Sequence, residues 1–158
     1  MHTPNKLNTH TILLAGGKGT RMLSKKAKVL QKLAGKSLLE HILSSAEETS
    51  NKISVIVGFD KPNVENEVSK VSNKAKAYTQ KDQIGTADAV KTVIDIIDDD
   101  EKVLILYGDV PLIKANTLKS LCLLNDSISI LTTNLDDPSG YGRVMKDKGN
   151  HVIEIVEE

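Results

Sequence analysis

Aromatic residues and cysteine are scarce in this sequence, which excludes several kinds of protein at the outset. Among its 158 residues there are three tyrosines, one phenylalanine and no tryptophan. The core must therefore be aliphatic, and the composition argues against a base-stacking surface for nucleic acid. Cys122 is the only cysteine, so no disulfide forms within the chain. Its position beside Leu118 and Leu121 predicts a small core residue.

Long apolar segments are also missing. None approaches the roughly 20 residues that a membrane-spanning helix needs. Residues 1–9 are polar and lack the apolar stretch of a signal peptide. We therefore expect a soluble, cytoplasmic protein with neither a membrane nor a nucleic acid as partner.

Acidic residues are absent from the first 39 positions, which contain eight lysines and arginines. The remaining thirteen basic residues and all twenty-one acidic residues follow, so the net charge is zero. Such clustering indicates a local site for a polyanion rather than a broad nucleic-acid surface. Among these cations, we expect Lys25, Lys26 and Lys32 to be solvated.

The most informative segment is a short apolar run, 11–15, followed by a glycine-rich loop, 16–22. The run is typical of a buried strand, and glycines let the backbone approach a ligand closely. Successive N–H groups in such a loop bind anions, and Lys18 and Arg21 add positive charge. A phosphate site at the carboxyl end of a strand is therefore predicted. The loop is not a Walker A motif, because Gly17-Lys18 is followed by glycine and the required upstream position is Ile12.

Strand and helix patterns alternate along the chain, which predicts an α/β fold: a Rossmann-like, mostly parallel sheet with helices on both faces. Ser37 and Glu40 form a capping-box pattern at the first helix. The apolar run 103–107 suits a strand buried on both faces. Segments 143–147 and 151–156 read as two strands joined by a turn. The other predicted elements are strands 11–15, 53–57, 75–78 and 128–133, and helices 37–49, 63–72, 86–97 and 114–124.

Polar residues follow several of these strands. Asp109 comes directly after strand 103–107, on the same sheet edge as the glycine loop, where a carboxylate beside phosphates can hold Mg²⁺. The alternative is an aspartate that fixes the turn before Pro111. Neutral amides at Gln80 and Gln83 offer the donors and acceptor that pair with a base edge. The acidic run 98–101 is interpreted as a solvated loop, and the glycine turn 138–143 either faces a polyol or is an ordinary tight turn.

Together these segments resemble a known family. Leu14-Ala-Gly-Gly-Lys-Gly-Thr-Arg-Met22 is similar to the signature loop of sugar-nucleotide pyrophosphorylases. The chain as a whole resembles the uridylyltransferase half of GlmU-type N-acetylglucosamine-1-phosphate uridylyltransferases, from Thr11 almost to its end. The other matching segments are 28–30, 33–36, 83–87, 107–112, 137–143 and 155–157, of which 107–112 and 140–143 are the most specific.

The resemblance implies a nucleotide-diphospho-sugar transferase fold and a reaction. UTP and N-acetylglucosamine 1-phosphate would give UDP-N-acetylglucosamine and pyrophosphate, with Mg²⁺ as cofactor. By resemblance, the nucleotide-binding residues are Leu14, Ala15, Gly16, Gly17, Gln80, Gln83, Gly85 and Thr86. The remaining implied residues are Arg21 for the departing pyrophosphate, Lys28 for charge between the reacting phosphates, Asp109 for Mg²⁺, and Gly142 and Glu157 for the sugar.

The chain departs from the family at four positions and in length. The family commonly has alanine at Gly16, proline at Ala27, and Gly-His at Ala87-Asp88. We expect Gly16 to be harmless, whereas Asp88 puts a carboxylate near the nucleotide pocket and would weaken binding.

The family's domain continues beyond Glu158, so residues 1–158 are expected to form a single, incomplete nucleotidyltransferase domain without the acetyltransferase β-helix. The unfinished sheet edge would invite self-association or a complementing chain. The alternative functions are a non-catalytic nucleotide-binding module, half of a split enzyme, or a degenerate remnant.

Overall fold

The structure is a computed structural model that describes residues 8–19, 24–82, 84–124 and 128–157. The chain divides into two compact units, Met1–Asn125 and Asp126–Glu158. In the first unit the strands are β1 (Thr9–Leu14), β2 (Lys32–Leu33), β3 (Lys36–Ser37), β4 (Lys52–Val57), β5 (Ala75–Thr79) and β6 (Lys102–Tyr107). Its helices are α1 (Leu38–Glu47), α2 (Lys61–Val71), α3 (Thr86–Lys91) and α4 (Ala115–Leu123), with short 3-10 helices at Lys28–Leu30 and Ile94–Ile96. The second unit contains β7 (Arg143–Lys146) and β8 (Val152–Val156).

A four-stranded parallel sheet in the order β5-β4-β1-β6 organises the first unit. β1 lies between β4 and β6, which explains why its run of apolar residues is buried on both sides of the pleat. Successive side chains of β1 point to opposite faces, so Leu13 faces one core and Ile12 the other. The predicted α/β class with a parallel sheet is confirmed.

Helices cover both faces of this sheet, as predicted. The larger core joins Leu13 to buried side chains of α1, α2 and α4, and the smaller core joins Ile12 and Ile56 to Ala89 and Val93 from the region of α3. Cys122 belongs to the larger core, so its predicted role as a small core residue is confirmed. None of the described helices combines the length and the apolar character needed to cross a bilayer.

The start of α1 follows the capping pattern in the sequence. The Ser37 hydroxyl accepts a hydrogen bond from the Glu40 backbone N–H at 2.9 Å, which satisfies one of the free donors of the first turn. Leu39, Ile42 and Leu43 form the buried stripe of the helix. The helix therefore packs on the sheet through its apolar face.

The expectation that strand 103–107 is buried on both faces is wrong. Within the described residues β6 pairs only with β1 and forms an edge of the sheet. Leu104 and Leu106 are buried, whereas Val103, Ile105 and Tyr107 are 44%, 46% and 51% exposed. A continuous apolar run shows that a segment suits a strand but does not show whether both of its faces are covered.

Two other element predictions need correction. The helix predicted at 86–97 ends at Lys91, because the run Thr92-Val93-Ile94 is β-branched and disfavours continued helix; a 3-10 turn follows at Ile94–Ile96. Val93 still packs in the core as expected. The strand predicted at 128–133 is not formed, since this segment pairs with no strand among the described residues and Ile128 is 81% exposed.

The second unit contains the predicted hairpin. β7 and β8 are antiparallel, with Arg143 opposite Val156 and Val144 opposite Ile155. The turn between them places Asn150 at φ 68°, a left-handed conformation that asparagine tolerates better than most residues. The prediction that residues 1–158 form a single, incomplete domain stays a prediction.

Candidate functional site

A cleft of about 400 Å³ opens at the carboxyl ends of β1 and β6 and beside the start of α3. Its volume lies within the range of about 300–1,000 Å³ that is usual for small-molecule sites. The lining residues are Leu14, Ala15, Gly16, Gly17, Gly19, Lys28, Val29, Ile56, Gln80, Gly85, Thr86, Ala89, Tyr107 and Asp109. The described residues of the first unit that were expected to bind nucleotide, phosphate or metal are in this set, with the exception of Lys18. Arg21 and Gln83 lie outside the described residues.

Backbone hydrogen bonds hold the start of the glycine loop against β4 and the segment that follows β4. The Ala15 N–H donates to the Ile56 carbonyl at 2.9 Å, and the Phe59 N–H donates to the Gly16 carbonyl at 3.1 Å. Gly17 has open space where a Cβ would lie, so its backbone is accessible to a ligand. The Lys18 ammonium lies 5.6 Å from the centre of the Phe59 ring, within the range of a cation–π contact.

Gly19 is required by both its conformation and its neighbour. Its φ of 63° is left-handed, and a Cβ added there would lie 2.8 Å from the Cβ of Lys28. Real Cβ atoms do not approach so closely, so any larger residue would push the loop away from Lys28. The glycine thus allows the loop and the following cation to lie against each other.

Lys28 is positioned by the residues on either side of it. Ala27 and Val29 are buried in the larger core, and the Ala27 N–H donates to Asp60 Oδ2 at 3.1 Å. Asp60 follows β4 in a left-handed conformation, with φ 56°. This anchoring directs the Lys28 side chain to the cleft.

Lys28 and Asp109 form an ion pair inside the cleft. Lys28 Nζ lies 2.6 Å from Asp109 Oδ2, and the two side chains are 39% and 36% exposed. Asp109 reaches this point because the Gly108 N–H donates to the Leu14 carbonyl at 2.9 Å, which joins the end of β6 to the end of β1. A Cβ at Gly108 would lie 2.8 Å from Val29 Cγ1, so the glycine permits this close packing. A cation and a carboxylate are therefore presented side by side to an incoming ligand.

Gln80 forms another wall of the cleft and is 7% exposed. Its backbone N–H donates to the Val57 carbonyl at 2.9 Å. Its side-chain Nε2 donates both to the Gly85 carbonyl at 3.1 Å and to Asp88 Oδ2 at 2.8 Å. The expectation that Asp88 puts a carboxylate near this pocket is therefore confirmed.

The donor set of the cleft fits a magnesium ion bound partly by a ligand. Asp109 is the carboxylate among the lining residues, and no group of three or more metal-ligating side chains is found in the described part of the chain. Mg²⁺ is commonly held by one or two carboxylates together with substrate phosphates and water. Asp109 and a bound polyphosphate would supply such a set.

The acidic run 98–101 does not form a metal cluster, but its last residue departs from the expected solvated loop. The Glu101 side chain is 1% exposed, with Lys52 Nζ at 2.9 Å and His10 Nδ1 at 3.2 Å. Burial alone would raise the pKa of Glu101, but the Lys52 ammonium, the Asp98 backbone N–H and His10 outweigh burial and lower it. The carboxylates of Asp98 and Glu101 raise the pKa of Lys52 in turn. Glu101 is thus a structural residue away from the cleft.

Gly142 and Glu157 lie together within the second unit. A Cβ at Gly142 would be 3.5 Å from Glu157 Oε2 and 3.3 Å from the Val156 carbonyl oxygen. The turn before them is held by Asp137, whose carboxylate accepts hydrogen bonds from the Ser139 hydroxyl and backbone N–H; both lower the pKa of Asp137. The sugar-binding role of the pair stays a prediction.

Phe59 and Asp60 contribute to the site, although the sequence patterns did not single them out. Both come within three residues of the end of β4, whose carboxyl end lies on the same side of the sheet as the glycine loop. In open α/β sheets ligands bind along that edge. Inspection of every strand end, rather than of glycine-rich ones alone, would have found these residues.

Residues 11–136 match the MobA-like NTP transferase domain family. The chain belongs to this family. Among curated relatives, the bifunctional protein GlmU of Francisella philomiragia is 44% identical over 149 residues, which are 93% of this chain and 32% of that protein. GlmU of Thermotoga petrophila is 42% identical over 145 residues, or 90% of this chain and 32% of the relative. The chain thus spans about a third of the length of these relatives.

Two solved structures share the fold. HddC from Yersinia pseudotuberculosis superposes with a TM-score of 0.75 at 22% identity and covers 95% of this chain and 69% of that one. A nucleotidyl transferase from Methanothermobacter gives a TM-score of 0.61 at 20% identity over 73% of this chain and 56% of that one. At these identities the likeness supports the NTP transferase fold and says nothing about the substrate.

Proposed function

We propose that this NTP transferase domain is a uridylyltransferase that forms UDP-N-acetylglucosamine and pyrophosphate from UTP and N-acetylglucosamine 1-phosphate. The observation that carries the proposal is the meeting of three elements in one cleft: the glycine loop, the Lys28–Asp109 pair and the Gln80 amide. The choice of uridine nucleotide and aminosugar is supported by 44% identity to GlmU over most of the chain.

In this proposal the glycine loop binds the nucleotide. Backbone groups of Leu14, Ala15, Gly16 and Gly17 lie along the cleft, and the open space at Gly17 admits a phosphate or ribose against the main chain. Gln80, Gln83, Gly85 and Thr86 would contact the uracil. Small residues at the start of α3 leave room for the base.

In the proposed reaction, a phosphate oxygen of the sugar phosphate attacks the α-phosphorus of UTP. A new P–O bond forms, the bond between the α-phosphorus and the bridging oxygen breaks, and pyrophosphate leaves with that oxygen. Transfers of this kind depend mainly on positioning and charge neutralisation. The ammonium of Lys28 would offset charge between the reacting phosphates, and Arg21 would hold the pyrophosphate.

Magnesium would be held by Asp109 and phosphate oxygens, and when bound it would neutralise negative charge on the triphosphate. The Lys28–Asp109 contact suits this role, since two partly exposed groups exchange partners at little cost. By resemblance to the family, Gly142 and Glu157 are proposed to contact the N-acetylglucosamine moiety.

The proposal is tested by mixing the purified chain with UTP, Mg²⁺ and N-acetylglucosamine 1-phosphate and measuring pyrophosphate. We expect turnover that is lost in an Asp109→Asn variant and retained in Asp99→Asn, an exposed acidic residue away from the cleft. If a folded wild-type chain binds UTP but releases no pyrophosphate, the catalytic assignment is wrong.

A second candidate function is a nucleotide-binding half that a second polypeptide chain completes. The observation that favours it is β6, an edge strand within the described residues whose Val103, Ile105 and Tyr107 side chains are exposed. An apolar edge of this kind is suited to pairing with another chain, including a second copy. UTP binding without turnover, together with concentration-dependent association that Ile105→Lys abolishes, would support this function.

A further inference from the structure

The side-chain amide of Gln80 is held in one orientation by two acceptors. Nε2 donates to the Gly85 carbonyl at 3.1 Å and to Asp88 Oδ2 at 2.8 Å. A carbonyl oxygen and an ionised carboxylate can only accept, so the NH₂ group must face both of them. A flipped amide would place Oε1 against two other oxygens and lose both hydrogen bonds.

The other polar atom of the amide, the carbonyl oxygen Oε1, faces the glycine loop. Gln80 Oε1 lies 3.4 Å from the position that a Cβ on Gly16 would occupy, and both residues line the cleft. Within the described residues, Oε1 accepts no hydrogen bond, although Gln80 is only 7% exposed. This oxygen is reached by solvent from the cleft, so a ligand that displaces the solvent must donate a hydrogen bond to it or leave it unpaired.

We propose that Asp88 is a positioning residue that fixes the Gln80 amide as a hydrogen-bond acceptor, so that the site selects nucleobases carrying an N–H on their pairing edge. Uracil N3 and guanine N1 carry such a hydrogen, whereas cytosine N3 and adenine N1 have a lone pair there. This inference rests on the proposed nucleotide binding and adds the chemical basis of base choice. It also assigns a use to Asp88, which the sequence alone suggested would weaken the pocket.

Cytosine is the informative competitor, because CTP and UTP have the same size and differ only along one edge of the base. With the Gln80 amide locked, cytosine would bring its N3 lone pair against Oε1 and leave that oxygen unpaired. Sites built to hydrogen-bond a substrate N–H reject analogues without it strongly, so we expect UTP to bind at least about 100-fold more tightly than CTP.

The fixed orientation of the Gln80 amide depends on Asp88 more than on Gly85. Removing the carboxylate leaves one neutral hydrogen bond to the Gly85 carbonyl, and the amide can then turn its NH₂ group to cytosine. Hydrogen bonds to charged groups are about twice as strong as neutral ones. We therefore expect Asp88→Ala to reduce the ratio of UTP to CTP affinity by roughly tenfold or more. Most of the change should be a gain in CTP binding.

The experiment measures dissociation constants of Mg²⁺-UTP and Mg²⁺-CTP by calorimetry for the wild type, Asp88→Ala, Asp88→Asn and Asp95→Ala. Asn keeps the size of the side chain but can turn either its oxygen or its NH₂ group to Gln80, so Asp88→Asn should lose selectivity as Asp88→Ala does. Asp95 is an exposed acidic residue shortly after α3 without a described partner, and its removal should leave the ratio unchanged. Side-chain amide exchange of Gln80 without nucleotide should be slow in the wild type and faster in Asp88→Ala.

The outcomes separate this inference from the proposed function. UTP binding with no preference over CTP, or a preference that Asp88→Ala leaves intact, overturns the role of Asp88 while nucleotide binding stands. Equal Gln80 amide exchange in the wild type and Asp88→Ala also overturns it. Failure of the folded wild type to bind any nucleoside triphosphate overturns both.

Discussion

Replacing Lys28 by methionine should separate stability from catalysis. The ammonium of Lys28 contacts Asp109 at 2.6 Å, but both side chains are more than a third exposed. Ion pairs with this exposure are worth about 0.2–1 kcal/mol. For a chain of this length, that loss lowers Tm by no more than roughly 2–4 °C. Methionine keeps the Cβ and stem that pack against Gly19, so the loop itself should not move.

The effect on turnover should be much larger. In the proposed reaction the Lys28 ammonium acts on negative charge between the phosphates, where a preorganised charge stabilises the transition state directly. Removing one such group typically costs about 10²–10³-fold in kcat. Asp109→Asn should cause a comparable loss through weaker Mg²⁺ binding. Since the double variant removes both charges together and keeps the stem of residue 28, it should be almost as stable as the wild type.

The assays are thermal unfolding and pyrophosphate release on the same samples, with Lys32→Met as the matched control. Lys32 belongs to the same cationic segment but is exposed on β2, outside the cleft. The reasoning is refuted if Lys28→Met unfolds the protein or lowers Tm by ten degrees or more. It is also refuted if a folded Lys28→Met variant turns over as fast as Lys32→Met.

Two further perturbations test the loop and the buried carboxylate. Gly19→Ala should weaken UTP binding and destabilise the chain by about 1–2 kcal/mol, since φ is 63° and the new Cβ would meet Lys28. Gly16→Ala should be tolerated in both assays, because its Cβ would make ordinary contacts of 3.4 Å and longer. Glu101→Gln should lower the free energy of unfolding at pH 7 by about 1.5–3 kcal/mol, because it removes a buried, charge-assisted hydrogen-bond acceptor. Because the folded pKa of Glu101 is lowered, its contribution is present above the unfolded pKa and is lost as pH falls through the folded pKa.

Calorimetry for the glycine variants and denaturant unfolding at pH 3 to 7 for the carboxylate check these expectations. Equal UTP affinities for Gly16→Ala and Gly19→Ala would contradict the close contact between loop and cation. Asp99→Asn, at an exposed position in the same acidic run, should leave stability unchanged across the pH range. A wild-type advantage over Glu101→Gln that grows as pH falls would have the wrong sign.

The fold was predictable where local pattern decides it. The parallel sheet, the capping of α1 by Ser37 and the β7–β8 hairpin follow from hydrophobic periodicity, side-chain chemistry and turn residues. The exposure of one face of β6 was not predictable. Val103, Ile105 and Tyr107 are apolar, and that alone does not show whether another element covers them. The early end of α3 shows a β-branched run overriding an apolar spacing that suits a longer helix.

The cleft was predictable to the extent that parallel strands end at one edge. That rule brings Asp109 and the glycine loop together, and the structure shows their contact through Lys28. The link from Gln80 to Asp88 could not be predicted, because it depends on how a side chain turns across the start of α3. The hydrogen bond from Ala27 to Asp60 could not be predicted either, because the two residues are far apart in the sequence.

The most direct test of nucleotide binding at this cleft is a titration of the folded chain with Mg²⁺-UTP, followed by backbone amide NMR. We predict saturable chemical-shift changes concentrated at Gly16, Gly17 and Gly85. Saturation should be reached at millimolar UTP, because usual KM values extend up to about 1 mM. The shifts should be smaller with CTP at the same concentration. Unchanged spectra of a demonstrably folded sample with UTP and with every other nucleoside triphosphate would contradict the account.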